Sequence, residues 1–136
     1  MRFVLDTNVL MSGLFFGGKP GQILDWWLSS GCTLVVSAAV LNEYRDVLER
    51  LALRYPGVQA RSLFQMVSRR CLLINAVPVP LDACVDVHDL KFLECALGGQ
   101  SRLIISGDRH LLNVNGWRKI RVVNPATFVD SIMPEI

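Results

Sequence analysis

Paired cysteines, zinc-spaced histidines, long apolar runs and abundant charge are all missing from this 136-residue chain. Cys32, Cys71, Cys84 and Cys95 show no CxxC or CxxH spacing, so they read as buried thiols and not as a disulfide framework or a metal site. His88 and His110 likewise lack the spacing of zinc ligands. The opening MRFVLDTN holds only three apolar residues before Asp6 interrupts them, which argues against a signal peptide or a membrane span, and nothing later reaches spanning length. Together these absences predict a cytoplasmic protein with no membrane association.

Charge is scarce at 19%, against 51% hydrophobic residues, which speaks against long disordered tracts and for a well-covered core. The length suits one domain spanning 1–136. A net charge of +2 says little about partners, but its distribution says more. Arg45, Arg50, Arg54, Arg61, Arg69 and Arg70 crowd the middle, against only Asp46 and Glu49, and Arg118, Lys119 and Arg121 form a second group. They are either solvated helix faces with i,i+4 pairs or a track for phosphates.

Short apolar runs alternate with helical stretches. Phe3–Leu5, Thr33–Val36, Leu72–Ile74, Leu103–Ile105 and Ile120–Val123 are strand candidates, most without polar alternation, as expected of parallel strands buried on both faces. Helices are predicted over Gln22–Ser29, Ala38–Leu53, Val58–Cys71, Asp89–Leu97 and Pro125 to about Ile132, with Ser37 as an N-cap, Gly31 and Gly98-Gly99 as stops and Pro125 at a first helical position. The alternation predicts an α/β protein, a three-layer α/β/α sandwich around a mainly parallel sheet of about five strands. Trp26-Trp27 and Phe15-Phe16 are core candidates, but consecutive aromatics on a helix cannot all point inward, so one side should stay exposed as an interface. A homodimer is the expectation.

Ligands of such sheets bind outside the carboxyl ends of the strands. Asp6 directly follows the first strand and Asp108 lies just past the fourth. Asp89 shares a helical face with Leu93 and Ala96, an odd place for an acid, and Glu43 borders the apolar face set by Tyr44 and Leu48. Each has a bland role open to it: Asp89 at a helix start, Asp108 in a turn, Glu43 as a border residue. Asp6 resists such treatment, and several carboxylates at one rim repel unless a cation joins them.

The segments FVLDTNVLMSG, SAAVLNEYRDVL, DVHDLKFLECAL and LIISGDRHLL, in that order, resemble the PIN-domain family of metal-dependent ribonucleases, in the branch of toxins of bacterial type II toxin–antitoxin systems. The resemblance implies metal-site roles for Asp6, Glu43, Asp89 and Asp108, with Asn8 and Ser106 orienting them, Mg²⁺ or Mn²⁺ as the cofactor and single-stranded RNA as the substrate. Lys91 and Arg109 are placed to hold the RNA, and a small antitoxin protein is the implied partner. Relatives often carry proline and an acid where Val87-His88 stand here.

Three other readings compete. Gly13 through Pro20 nearly spells a phosphate-cradling GxxxxGK[ST] loop, but Pro20 replaces the hydroxyl residue and Gly13 comes late after the strand. Asn8 stands where a phosphoaspartyl enzyme would carry its second aspartate. The last is a catalytically idle nucleic-acid or protein-binding module whose acids only cap helices.

Overall fold

The computed structural model describes residues 1–134, and the last two residues of the expected 1–136 domain lie outside it. In chain order the elements are β1 (Arg2–Leu5), α1 (Thr7–Phe15), α2 (Gly18–Ser30), β2 (Thr33–Val36), α3 (Ala38–Ala52), α4 (Ala60–Arg70), β3 (Cys71–Leu73), α5 (Leu90–Gly98), β4 (Leu103–Ile105), α6 (Arg109–Leu112), β5 (Arg121–Val123) and α7 (Pro125–Thr127). A 3₁₀ turn, Val87–Asp89, leads into α5, a second, Trp117–Lys119, precedes β5, and α7 continues as a wider π turn over Phe128–Ile132.

The strands form one all-parallel sheet in the order β3-β2-β1-β4-β5. The architecture is the α/β class expected, a parallel five-stranded sheet flanked by helices. Parallel strands require burial on both faces, which β1, β2 and β4 achieve with almost wholly buried side chains. Register assigns the layers. Phe3 pairs with Leu34, so both face one side, and Val35 faces the other. On the Phe3 side α2 lays Trp26 between Phe3, at 5.2 Å between ring centroids, and Phe128, at 5.1 Å. On the Val35 side lies the end of α5, where a Cβ built on Gly99 would meet the Val35 side chain at 2.8 Å. Chain order reverses direction between β1 and β4, which opens the crevice of a doubly wound sheet above their carboxyl ends.

All five strands stand within a residue or two of their expected positions. The helix α1 departs from the expectation, which places its residues in the loop before α2. Gly13 hides it: glycine is a poor helix former, but here its missing side chain lets α1 and α2 touch, since a Cβ would lie 2.7 Å from Leu24 Cδ1 and 2.9 Å from the Pro20 carbonyl oxygen. Pro20 sits in the first turn of α2, where no N–H is needed, so that helix begins four residues earlier than predicted. The phosphate-loop alternative thereby loses its loop, because Gly13 lies inside a helix.

The aromatic expectation is half corrected. Trp26 and Trp27 are both buried, since α2 is covered by α1 and α7 as well as by the sheet. Phe16, just past the end of α1, is the exposed member, 66% accessible, tilted against Phe15 and edge-on to Tyr55. The four thiols are free, and burial pushes Cys71 up to about 12 and Cys95 up to about 11, so both stay neutral. Among the described residues no helix is long and apolar enough to cross a membrane.

Candidate functional site

The site is built outward from the end of β1. The Asp6 amide donates to the Ile105 carbonyl at 3.0 Å, which extends the β1–β4 pairing by one step, and Tyr44 on α3 donates its hydroxyl to the Leu5 carbonyl at 2.6 Å. These two bonds fix the backbone on either side of the Leu5–Asp6 peptide, so Asp6 emerges into the crevice in one orientation. Its Oδ2 accepts from Ser106 Oγ at 2.6 Å, and the same hydroxyl accepts from the Asp108 amide at 2.9 Å. One serine at the end of β4 thus ties the two aspartates together.

Asp108 accepts from the His110 amide at 2.8 Å and so caps α6, a single turn that the sequence pattern does not predict. Its capping role and its place in the crevice coexist. Asp86 caps the 3₁₀ turn by accepting from the His88 amide at 2.9 Å, and the turn carries Asp89 inward until it is only 7% exposed. Asp89 lies beside Asp108, and its Oδ2 is buried without a hydrogen-bond partner.

The electrostatics follow from this packing. Burial raises the Asp89 carboxyl to about 7, helped by the hydrogen bond its protonated form donates to Asp108 and by the charges of Asp108, Asp86 and Asp6. Asp6 is also raised, chiefly by burial, while the Ser106 hydroxyl and the Asn8 backbone pull it back and Asp108 and Glu43 add repulsion. Asp6, Asp89 and Asp108 are therefore brought together, with Glu43 at the margin. Glu43 accepts from Lys91 Nζ at 2.6 Å and from the Thr7 hydroxyl.

Of the supporting residues, Ser106 makes the two hydrogen bonds just described. Asn8 reaches Asp6 through its backbone, and its side chain is exposed. Lys91 is engaged by Glu43, and Arg109 is exposed at the start of α6. Thr7 and Tyr44 escape sequence reasoning; nothing in their spacing marks them, because each acts through one tertiary hydrogen bond. Beside the aspartates opens a cavity of about 310 Å³ lined by Asn8, Val9, Ser12, Gly107 and Asp108. A roomier one of about 520 Å³, lined by Arg45, Glu49, Arg61 and Phe64, lies away from them between α3 and α4.

Asp6 and Asp89 are buried carboxyls beside Asp108, and the unpartnered oxygen of Asp89 is one that a hard cation satisfies better than a proton does. Among the described residues no three carboxylate, imidazole or thiol groups stand, as placed, where they could together hold a metal ion. The residues present fit an open site completed by water and substrate, as Mg²⁺ prefers.

An acidic crevice at the switch point marks a doubly wound α/β fold, a class in which ligands bind at that rim. Within it, the sequence profile of the PIN domain matches residues 2–110, and the chain belongs to the PIN domain family. No curated protein matches it in sequence. Its fold is similar to VapBC2 from Rickettsia felis, solved bound to a DNA fragment from their promoter, at TM-score 0.65 and 14% identity over 91% of this chain and 98% of that one. PAE2754 from Pyrobaculum aerophilum gives 0.61 and 13% over 95% and 87%, and FitAcB from Neisseria gonorrhoeae 0.55 and 18% over 91% and 98%.

Proposed function

We propose that the chain is one domain that cuts single-stranded RNA as a metal-dependent endoribonuclease, the cytoplasmic toxin of a toxin–antitoxin pair. The observation that carries this is the unpartnered, buried Oδ2 of Asp89 beside Asp108 and Asp6. Membership of the PIN family and the likeness of fold to VapBC2 and FitAcB support the nuclease and the antitoxin partner.

In this reading Asp6, Asp89, Asp108 and Glu43 are the residues that would hold Mg²⁺ or Mn²⁺. When bound, the ion polarises a phosphoryl oxygen and acidifies a water. Ser106 keeps Asp6 and Asp108 at a fixed separation. Thr7 and Lys91 hold Glu43 in one rotamer, so Lys91 serves the acid first and any RNA phosphate second, while Arg109 faces the incoming strand. Asp89, raised to about 7, would have to be deprotonated to serve as a ligand.

The test is incubation of labelled single-stranded RNA and DNA with Mg²⁺, Mn²⁺ or chelator, with Asp6→Asn and Asp89→Asn alongside. The RNA should be cut only with metal, and each substitution should lower the rate by about a hundredfold or more. Equal cutting by both variants would dismiss the site, and metal-dependent RNA binding without cutting would favour an idle binding module.

We also propose a homodimer through the patch of Phe15, Phe16 and Tyr55, whose rings stand 5.3 to 6.3 Å apart with Leu53 86% exposed nearby. Light scattering should give twice the monomer mass, and Phe16→Ser should halve it; a monomeric parent chain rules the dimer out.

A further inference from the structure

The end of the sheet opposite the acidic crevice has the inverse chemistry. Because all five strands are parallel, their starts share one rim. Arg2 and Arg121 open β1 and β5, and Arg102 immediately precedes β4. The Arg121 amide donates to the Arg102 carbonyl at 2.8 Å, and Ser101 Oγ donates to the Arg2 carbonyl at 3.1 Å, so the three backbones are stitched side by side. Arg118 and Lys119 fill the turn before β5, and Arg69-Arg70 close α4 where β3 begins. All of these side chains are exposed. No acid stands on these segments, and the three ion pairs among the described residues, Lys19–Asp130, Arg45–Asp46 and Lys91–Glu43, lie elsewhere.

Two further observations make this more than a solvated fringe. The Arg118 guanidinium is stacked on the Trp117 ring, 4.5 Å from its centroid, which restricts a side chain that would otherwise wander. Gln100, Arg118 and Lys119 are the non-glycine residues with left-handed backbone among those described, and all three border this rim. Non-glycine residues are held in that region when the surrounding structure demands it, as at ligand clamps. Between the two strained turns lies a cavity of about 430 Å³ walled by Gln100, Ser101, Arg102 and Arg118.

We propose that this rim is a second binding surface, which takes the phosphate backbone of a nucleic acid irrespective of sequence. Guanidinium groups at adjacent strand starts, with Arg2 held by the Gly99 carbonyl at 2.9 Å and Arg118 held on Trp117, match a row of phosphates, and the crevice acids, at the far ends of the same strands, leave the attraction intact. A strand bound here is held while another stretch of nucleic acid lies at the acidic crevice. The surface does not depend on cleavage, so it survives if the nuclease reading fails.

The test uses the full chain in chelator, with labelled single-stranded RNA, across a salt series. Arg102→Gln/Arg118→Gln/Arg121→Gln should lower affinity about tenfold or more and flatten the slope of log K against log salt by roughly 2, because each neutralised phosphate of a single strand adds about 0.7 to that slope. The chain has three lysines, each in a different region. In the parent protein, RNA should protect Lys119 from acetylation and leave Lys19 reactive, a readout independent of any variant's folding. Unchanged affinity, or an unprotected Lys119, overturns the proposal. So does equal protection by inorganic phosphate or by anionic phospholipid vesicles at the same salt, which would assign the rim to a free anion or to a membrane surface.

Discussion

Asp89 concentrates the cost of the site in one side chain. Its carboxyl is raised to about 7 by burial and by its acidic neighbours, against an ordinary value near 4 in an unfolded chain. The folded state therefore holds this proton more tightly, and its contribution to stability is complete below about pH 4 and lost as pH rises through about 7. Asp6 is shifted the same way by the same cause. In chelator, the melting temperature should fall between pH 5 and pH 7.5 and recover on adding Mn²⁺. Asp89→Asn, which has no such proton to lose, should flatten that fall and melt roughly 3–8 °C above the parent at pH 7.5. A parent protein whose melting temperature is level or rising across this range would show that Asp89 is not strained. The residues around it divide by how they act. The four acids stand out in the sequence because acids rarely follow buried strands or share an apolar helix face. Thr7 and Tyr44 do not, since a threonine beside an aspartate and a tyrosine on an apolar stripe are ordinary until the fold brings them to Glu43 and to the Leu5 carbonyl.

At the scale of elements, two glycines without turn duty hold the helices in place. At Gly98, near the end of α5, a Cβ would fall 1.9 Å from the Asn75 carbonyl oxygen, so the segment after β3 crosses directly over the helix. That segment begins the long connection to Asp86 and Asp89. Its closeness to α5 helps fix where the 3₁₀ turn starts. Gly98→Ala pushes backbone against backbone and should destabilise the protein by about 3 kcal/mol or more, whereas Gly107→Ala, with open space around it, should cost less than about 1 kcal/mol. Chemical denaturation of both variants checks this, and equal stability would mean that the crossing is not rigid. Periodicity is a sound guide to these elements wherever burial alone decides them, as in β1, β2 and β4. It fails at α1 and α6. The first is masked by Gly13, whose reason is contact with α2. The second is one turn, made by the Asp108 cap and too short to leave a pattern.

The whole molecule is polarised along its strands: acids at their carboxyl ends, arginines at their starts, a covered sheet between. Net charge hides this, because opposite ends nearly cancel to +2. Strand starts and ends can be read from sequence once the sheet is known to be parallel, so the acidic rim is legible from Asp6 and Asp108. The basic one shows only as a cluster near Arg118, since Arg2 and Arg102 join it through β1 and β4.

The account rests on the gathered aspartates gripping a divalent ion, and calorimetric titration of the metal-free protein with Mn²⁺ near pH 7, in buffers of different ionisation enthalpy, tests that most directly. The expected result is a saturable site that releases protons as the ion displaces the one held by Asp89, and that weakens about tenfold to a hundredfold in Ser106→Ala and is lost in Asp6→Asn and Asp89→Asn. Mn²⁺ bound equally well by all of these proteins, or without proton release, would contradict it.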